Sequence, residues 1–385
     1  MKIDKKKLEK WLKVAGKLCN KKTSLLATTM LRFSGNEIHA TDLETFAIFR
    51  HEGKTDIDFC VPWHDLDRII KVTKTPEIEI KAEVKFYPSG GEAPSFQGAE
   101  VKIGKYTLNC DFNPGDYPTK PKLIPDAGWK SLPLKNLEKL ITIGGSNSLK
   151  LWENSLFFDF RHEFIYSTDG GRLYCSKTLP KEDQDILPVP KNFAKLFLSW
   201  KGQEYQWVVN QTSQSEGVIE WLWISCENGM FMTRLPEGIA PNAYDLLESA
   251  RKSAVVHFQT DRKKMITSVE EALVVLEGDY LEIEIKVSES GVSLHAENPE
   301  KGKYDDMNFP ADFQDDVVKE TSVFIPAWQL RDALKLFSED QIQISMQEEK
   351  CLRVMLIDGI PKQSRGFMVD KPSDFWVGIM PMRED

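Results

Sequence analysis

The sequence lacks any apolar stretch of membrane length: its longest unbroken runs, such as Ala272 to Leu276, fall far short of the ~18 residues a spanning helix needs. Met1 to Lys13 is dense in lysine from its second residue and holds no apolar core, which predicts no secretory leader. These absences predict a cytoplasmic protein with no membrane partner. Cysteine is sparse. Cys19, Cys60, Cys110, Cys175, Cys226 and Cys351 lie far apart with no CxxC pair, which predicts reduced packing thiols rather than disulfides or zinc ligands. Histidine is equally scarce, at six scattered residues. No HExxH, GxSxG or Walker pattern occurs, and paired carboxylates such as Asp315-Asp316 have no surrounding sequence of a catalytic pair. The reading is a protein with no active site, no metal and no cofactor.

At 385 residues the chain exceeds one average domain, and 41% apolar against 28% charged residues is an ordinary globular mixture. The formal charge of −9 is unevenly placed: residues 1–22 hold nine lysines against Asp4 and Glu9, a net +7, so the other 363 residues carry −16. An acidic body with one basic segment focuses its positive field on one surface.

Internal repetition sets the architecture. Three β-type runs end in proline and lead into a helical pattern: Ile57 to Pro62, Ile186 to Pro190 and Val323 to Pro326, with Pro62, Pro190 and Pro326 spaced 128 and 136 residues apart. Apolar residues then recur at helical spacing, at Leu66, Ile69 and Ile70, at Phe193, Leu196 and Phe197, and at Leu330, Ala333 and Leu334. A second series, Ile38 to Asp42, Ile165 to Asp169 and Leu294 to Asn298, steps by 127 and 129 residues and reads as strands ending in turns. Each unit opens with a helix candidate, Asp4 to Asn20, Leu134 to Gly144 and Asp261 to Leu273, which makes two helices per unit. The proline-rich stretches Asn113 to Pro125 and Leu235 to Leu247 read as linkers, so three domains are expected at 1–128, 129–248 and 249–385.

On the first helix Lys6, Lys10, Lys13 and Lys17 step by 4, 3 and 4 and share one face, with Leu8, Trp11, Leu12, Ala15 and Cys19 opposite. A lysine stripe is also what any solvated helix presents. Against a body of −16 it points to a polyanion bound without sequence reading. Lys21, Lys22, Lys150, Arg251, Lys252, Arg262, Lys263 and Lys264 also sit in or beside the unit-opening helices, and of these Lys21, Lys22, Lys150, Lys263 and Lys264 join the candidate DNA-facing set. The segment Thr168-Asp169-Gly170-Gly171-Arg172-Leu173 lacks nucleotide-loop spacing and reads as a tight turn.

That segment is similar to the TDGHRL turn of the bacterial DNA polymerase III beta subunits, the sliding clamps. Ala40-Thr41-Asp42-Leu43-Glu44, Ala296-Glu297-Asn298-Pro299-Glu300 and Ile379-Met380-Pro381-Met382-Arg383 resemble the same family's TDLE, NPE and terminal MPMR segments. The chain thus resembles a divergent clamp over its whole length. The resemblance implies an α+β fold of three similar clamp domains, each with two helices packed on antiparallel sheets. It implies two subunits head to tail in a ring that encircles duplex DNA, as a non-catalytic processivity subunit serving a DNA polymerase, a clamp loader and repair proteins. It also implies a partner-peptide pocket between the second and third domains. By position that pocket takes Thr168, Gly170, Gly171, Arg172 and Leu173, with Pro241 and Leu247, then Trp328, Met380, Pro381, Met382 and Arg383; Val274 and Val275 fall at the dimer contact.

Several features depart from the family. Gly171 stands where histidine is common, Glu384 and Asp385 extend past the usual end, Ser89 to Gly98 reads as an insertion, and the Trp-rich stretch Trp200 to Trp223 has no counterpart. Two other classes remain open on sequence: a multidomain carbohydrate-active enzyme, suggested by ten tryptophans and many acids, and a repeat-built adaptor that binds no DNA.

Overall fold

The computed structural model describes residues 1–19, 23–87, 95–122, 128–144, 150–183, 185–202, 204–214, 217–278, 281–314, 320–347, 354–361 and 374–380. Among them are eight α-helices: α1 (Lys5–Ala15), α2 (Trp63–Val72), α3 (Leu137–Leu140), α4 (Leu151–Asn154), α5 (Lys191–Leu198), α6 (Ala243–Lys252), α7 (Arg262–Ala272) and α8 (Ala327–Lys335). Two short 3-10 helices, Leu26–Thr29 and Pro114–Asp116, and antiparallel strands make up the remaining regular structure among the described residues.

One order of elements occurs three times: a strand, a helix, a three-stranded meander, a strand ending in proline, a second helix and a second meander; α4, α6 and the two-residue strand Asp312–Phe313 are additions to it. In each copy the opening strand pairs with the first strand of the second meander, as Lys2–Asp4 does with Glu77–Tyr87, Lys130–Ser131 with Gln206–Gln214, and Ala254–Asp261 with Gln341–Gln347. The proline-ended strand pairs back onto the first meander each time.

The chain forms two compact units. One holds Met1–Pro133 and Asn192–Pro236, the other Leu134–Lys191 and Glu237–Asp385. In the first unit an eight-stranded sheet arises because Thr45–Arg50, the last strand of one copy's first meander, pairs with Gly229–Arg234, the last strand of the next copy's second meander. In the second unit a nine-stranded sheet forms by the same joint, Arg172–Lys177 against Phe375–Ile379. Two four-stranded sheets remain, ending at Tyr106–Cys110 in the first unit and Gly302–Phe309 in the second. Among the described residues these two outer edges carry no strand partner.

Local chemistry explains the helix ends. The Asp4 carboxylate accepts from Lys7 N (2.9 Å) and Asp261 from Lys264 N (2.9 Å), capping α1 and α7. Pro62 and Pro326 occupy the N-cap positions of α2 and α8, one residue earlier than the first-turn placement expected from sequence. Helix α1 stops at Gly16, where the Trp63 ring lies 2.3 Å from the position a Cβ would take and its indole N–H donates to Leu12 O (2.9 Å). Helix α3 is shorter than Leu134 to Gly144, since Asn136 is left-handed (φ 65°) and the chain turns at Gly144 (φ 87°). The stretch Leu235 to Leu247, read as linker, becomes helical at Ala243. Asn242 caps that helix by accepting from Asp245 N (3.2 Å), while Pro236 and Pro241 stay outside it. Cys19, Cys60, Cys110 and Cys175 are buried free thiols and Cys226 is half-buried and free; Cys351 lies outside the described residues.

A carboxylate hub ties the first unit together. Glu37 accepts from His39 Nε2 (2.9 Å), Lys120 Nζ (2.6 Å) and Arg50 Nε (3.2 Å). The hydrogen bond from His39, joined by Lys120, holds the Glu37 carboxyl well below the usual range, while burial lowers the His39 pKa so that the neutral ring is the donor. A depressed folded pKa gives stability that is complete above the unfolded value, ~4.3, and is lost as pH falls through the folded value. Glu37→Gln is therefore expected to lower stability at pH 7 by about 1.5–3 kcal/mol, the range for hydrogen bonds to a charged group. The gap to wild type should narrow in thermal melts below pH ~4, and a gap independent of pH contradicts the account.

Candidate nucleic-acid face and peptide pocket

Helix α1 buries Leu8, Trp11, Leu12, Val14 and Ala15, with Cys19 just beyond it, and leaves Lys6, Lys10, Lys13 and Lys17 exposed. The two faces are those read from spacing. Lys5 pairs with Glu9 (3.3 Å) and Lys7 with Glu52 (3.8 Å), whereas the four rail lysines have no carboxylate partner among the described residues. Partial burial lowers the Lys17 pKa, and its Nζ donates to Lys195 O (3.3 Å). Exposed Lys195 and Lys201 therefore border the rail from the end of α5. Sequence reading missed them, because their helix was identified by its apolar face alone.

The other candidates are less available. Lys150 is exposed but pairs with Glu153 (3.3 Å); Lys263 reaches Asp340 (3.6 Å), and Lys264 is exposed. Arg251 and Lys252 belong to α6, where Arg251 turns to the fully buried Asp358 (3.2 Å) and Lys252 to Glu248 (2.6 Å). Arg262 donates to Glu339 O (2.7 Å). Lys21 and Lys22 lie outside the described residues.

In the second unit the turn at 168–172 is built by its own side chains. Thr168 Oγ1 donates to Arg172 O (2.7 Å) and accepts from Gly170 N (3.0 Å). Asp169 accepts from Gly171 N (3.1 Å) and Arg172 N (2.7 Å), and its second oxygen takes both Nε and Nη2 of Arg172 (2.9 and 2.7 Å). Gly170 sits at φ 90°, where an L side chain is strained. The Arg172 guanidinium, 8% exposed, lies 4.8 Å over the half-buried Trp328 ring. Its charge is thus spent inside the turn.

Ladder pairing draws in the chain end: Leu173 is opposite Gly378, Arg172 opposite Ile379, and Met380 N donates to Gly171 O (2.8 Å). Leu173 and Leu247 share one apolar cluster against which Met380 packs, and Tyr166 Oη donates to Pro241 O (2.6 Å). The described pocket candidates Thr168, Gly170, Gly171, Arg172, Leu173, Pro241, Leu247, Trp328 and Met380 therefore converge within one unit. Pro381, Met382 and Arg383 lie outside the described residues, as do Glu384 and Asp385. Ile239, 94% exposed beside Gly238, and Trp152, 39% exposed, are apolar surface residues of the same unit that sequence reading did not single out. Leu247 also borders a cleft of about 620 Å³ where Arg161 is matched by Asp183 and Asp185 and Lys177 by Glu163, while Lys181 has no carboxylate partner among the described residues. Val274 is 76% exposed after α7, and Val275 is half-buried. No cluster of three or more potential metal ligands occurs among the described residues, and no helix among them is long and apolar enough to cross a membrane.

No protein-family model matches the chain, and no curated protein matches it in sequence. Solved structures do. The DNA polymerase III subunit beta from Pseudomonas aeruginosa matches with a TM-score of 0.77 at 17% identity over 100% of both chains. The DNA polymerase sliding clamp from Bacillus subtilis matches at 0.75 and 16%, and the DNA polymerase III beta subunit from Thermotoga maritima at 0.72 and 14%, each over 100% of this chain and 99% of the other. This chain has the sliding-clamp fold. The resemblance read from a few short motifs thus extends to the backbone along the whole chain. In this clamp fold Gly171 leaves room that a Gln329 amide occupies, 3.3 Å from where a Cβ would stand.

The turn makes a direct demand on Asp169. Removing it leaves a guanidinium that is nine-tenths buried without its carboxylate, which costs about 3–5 kcal/mol for a buried pair. Asp169→Ala is expected to lower the melting temperature of the chain sharply, while Asp169→Glu recovers part of the loss; equal melts for wild type and Asp169→Ala would contradict the packing described.

Proposed function

We propose that the chain is a DNA sliding clamp of the DNA polymerase III beta family, a divergent member that encircles duplex DNA without sequence specificity and tethers partners. The reading is of a non-catalytic processivity subunit. The observation that supports it most is the joining of a full-length clamp fold to a row of lysines that have no carboxylate partner among the described residues of an acidic protein. Such a face attracts phosphates and reads no bases, so a ring carrying it can slide. The carbohydrate-enzyme and adaptor alternatives gain no support from structural neighbours that are clamps.

The proposal includes three domains, 1–128, 129–248 and 249–385, and a homodimer. Each internal joint pairs the last strand of one first meander with the last strand of the next second meander. The strands left over are Gly302–Phe309, last of the third copy's first meander, and Tyr106–Cys110, last of the first copy's second meander. Pairing between two chains, third copy to first, repeats the joint head to tail and closes a ring; exposed Val274 and half-buried Val275 fit that contact. The converging residues around Leu173, Leu247, Trp328 and Met380, with Pro381, Met382 and Arg383, serve as the pocket for short apolar peptides of the polymerase, clamp loader and repair proteins.

Two outcomes test this. The Lys10→Glu, Lys13→Glu, Lys17→Glu chain should melt like wild type yet lose retention on circular duplex, with the difference shrinking as salt rises; undiminished retention sinks the DNA face. In mass-resolved sizing the wild type should run as a dimer at micromolar concentration and Val274→Asp should shift it toward monomer. A monomeric wild type contradicts the assembly.

A further inference from the structure

The tryptophan-rich stretch is unused by the reading above, yet its first residue meets the lysine rail. Lys10 Nζ lies 4.3 Å over the centre of the Trp200 ring. The ring itself is fixed from several directions. It is 4% exposed, and its indole N–H donates to Glu227 O (3.0 Å). It meets Trp11 edge-on at 6.2 Å and Phe49 at 5.8 Å. Trp11 is buried on the inner face of α1, so one aromatic cluster anchors both the helix and the platform under Lys10. A free lysine side chain loses rotamer freedom when it meets a ligand; an ammonium already held against an indole face has given up part of that freedom before a ligand arrives.

We propose that Trp200 is a positioning residue for the polyanion-binding face: it holds the Lys10 ammonium in a preset place for contact with a DNA phosphate. The proposal rests on the sliding-clamp reading and goes beyond it in assigning a role to the first residue of the tryptophan-rich stretch.

The test is equilibrium binding of linear duplex DNA by the full chain at several salt concentrations, for wild type, Lys10→Ala, Trp200→Leu and the double variant, with Lys13→Ala as a control. Each lost phosphate contact lowers the log–log salt slope by about 0.9. Trp200→Leu is expected to reduce the slope in the direction of Lys10→Ala. The double variant should match Lys10→Ala alone, while Trp200→Leu and Lys13→Ala should add. A wild-type slope in Trp200→Leu, or full additivity with Lys10→Ala, overturns the proposal. A wild type with no salt-dependent binding overturns the DNA reading itself. Since Trp200→Leu can fail to fold, the unmodified chain supplies a second measurement: the Lys10 ε-methylene proton resonances should be shifted upfield by the indole ring relative to those of Lys13. Unshifted Lys10 resonances overturn the placement whatever the DNA result.

Discussion

The structure depends on the need of sheet edges for partners. A three-stranded meander leaves an unpaired row of backbone donors and acceptors along its last strand, and such rows are either covered or joined. Here Thr45–Arg50 is covered by Gly229–Arg234 and Arg172–Lys177 by Phe375–Ile379, each by a regular antiparallel ladder. The register of the second ladder is what sets Leu173 against Gly378 and carries Met380 to Gly171. The pocket candidates are therefore neighbours because of backbone pairing between segments some two hundred residues apart.

Much of the plan was legible in sequence, because it is written in periodicities. Pro62, Pro190 and Pro326 each close a strand and open a helix, and the lysine and apolar faces of α1 follow from steps of three and four. What was illegible depends on partners distant in sequence. Asp169 stands three residues before Arg172, but nothing local says that the guanidinium plane is covered by Trp328. Arg251 and Arg262 looked like surface cations, and their partners Asp358 and Glu339 are brought in only by tertiary folding. Helix α6 was missed because prolines just before it signal a break, while the capping Asn242 that restarts the helix is a weaker mark.

The same distinction separates the two candidate surfaces. The lysine face is a property of one helix and its uncompensated charge, so composition and spacing suffice to find it. The pocket candidates depend on a turn, a helix start and the strand Phe375–Ile379 meeting, and resemblance to short family motifs, not periodicity, is what singles them out in sequence. Its arginine being neutralised within the turn, the surface it offers is chiefly shape and apolar area: Leu173, Leu247, Met380 and the Trp328 ring.

The packing of Trp63 over Gly16 governs the angular setting of α1 about its own axis. A charged stripe on a helix is aimed only as well as the helix is prevented from rolling, and successive residues differ by about 100°. The indole fills the space above Gly16 and hydrogen-bonds to the carbonyl one turn back, so the stripe's bearing is locked by a residue outside the helix. One residue inserted between the Asp4 cap and Gly16 would swing the lysines a quarter-turn or more away from their heading while leaving every one of them in the chain.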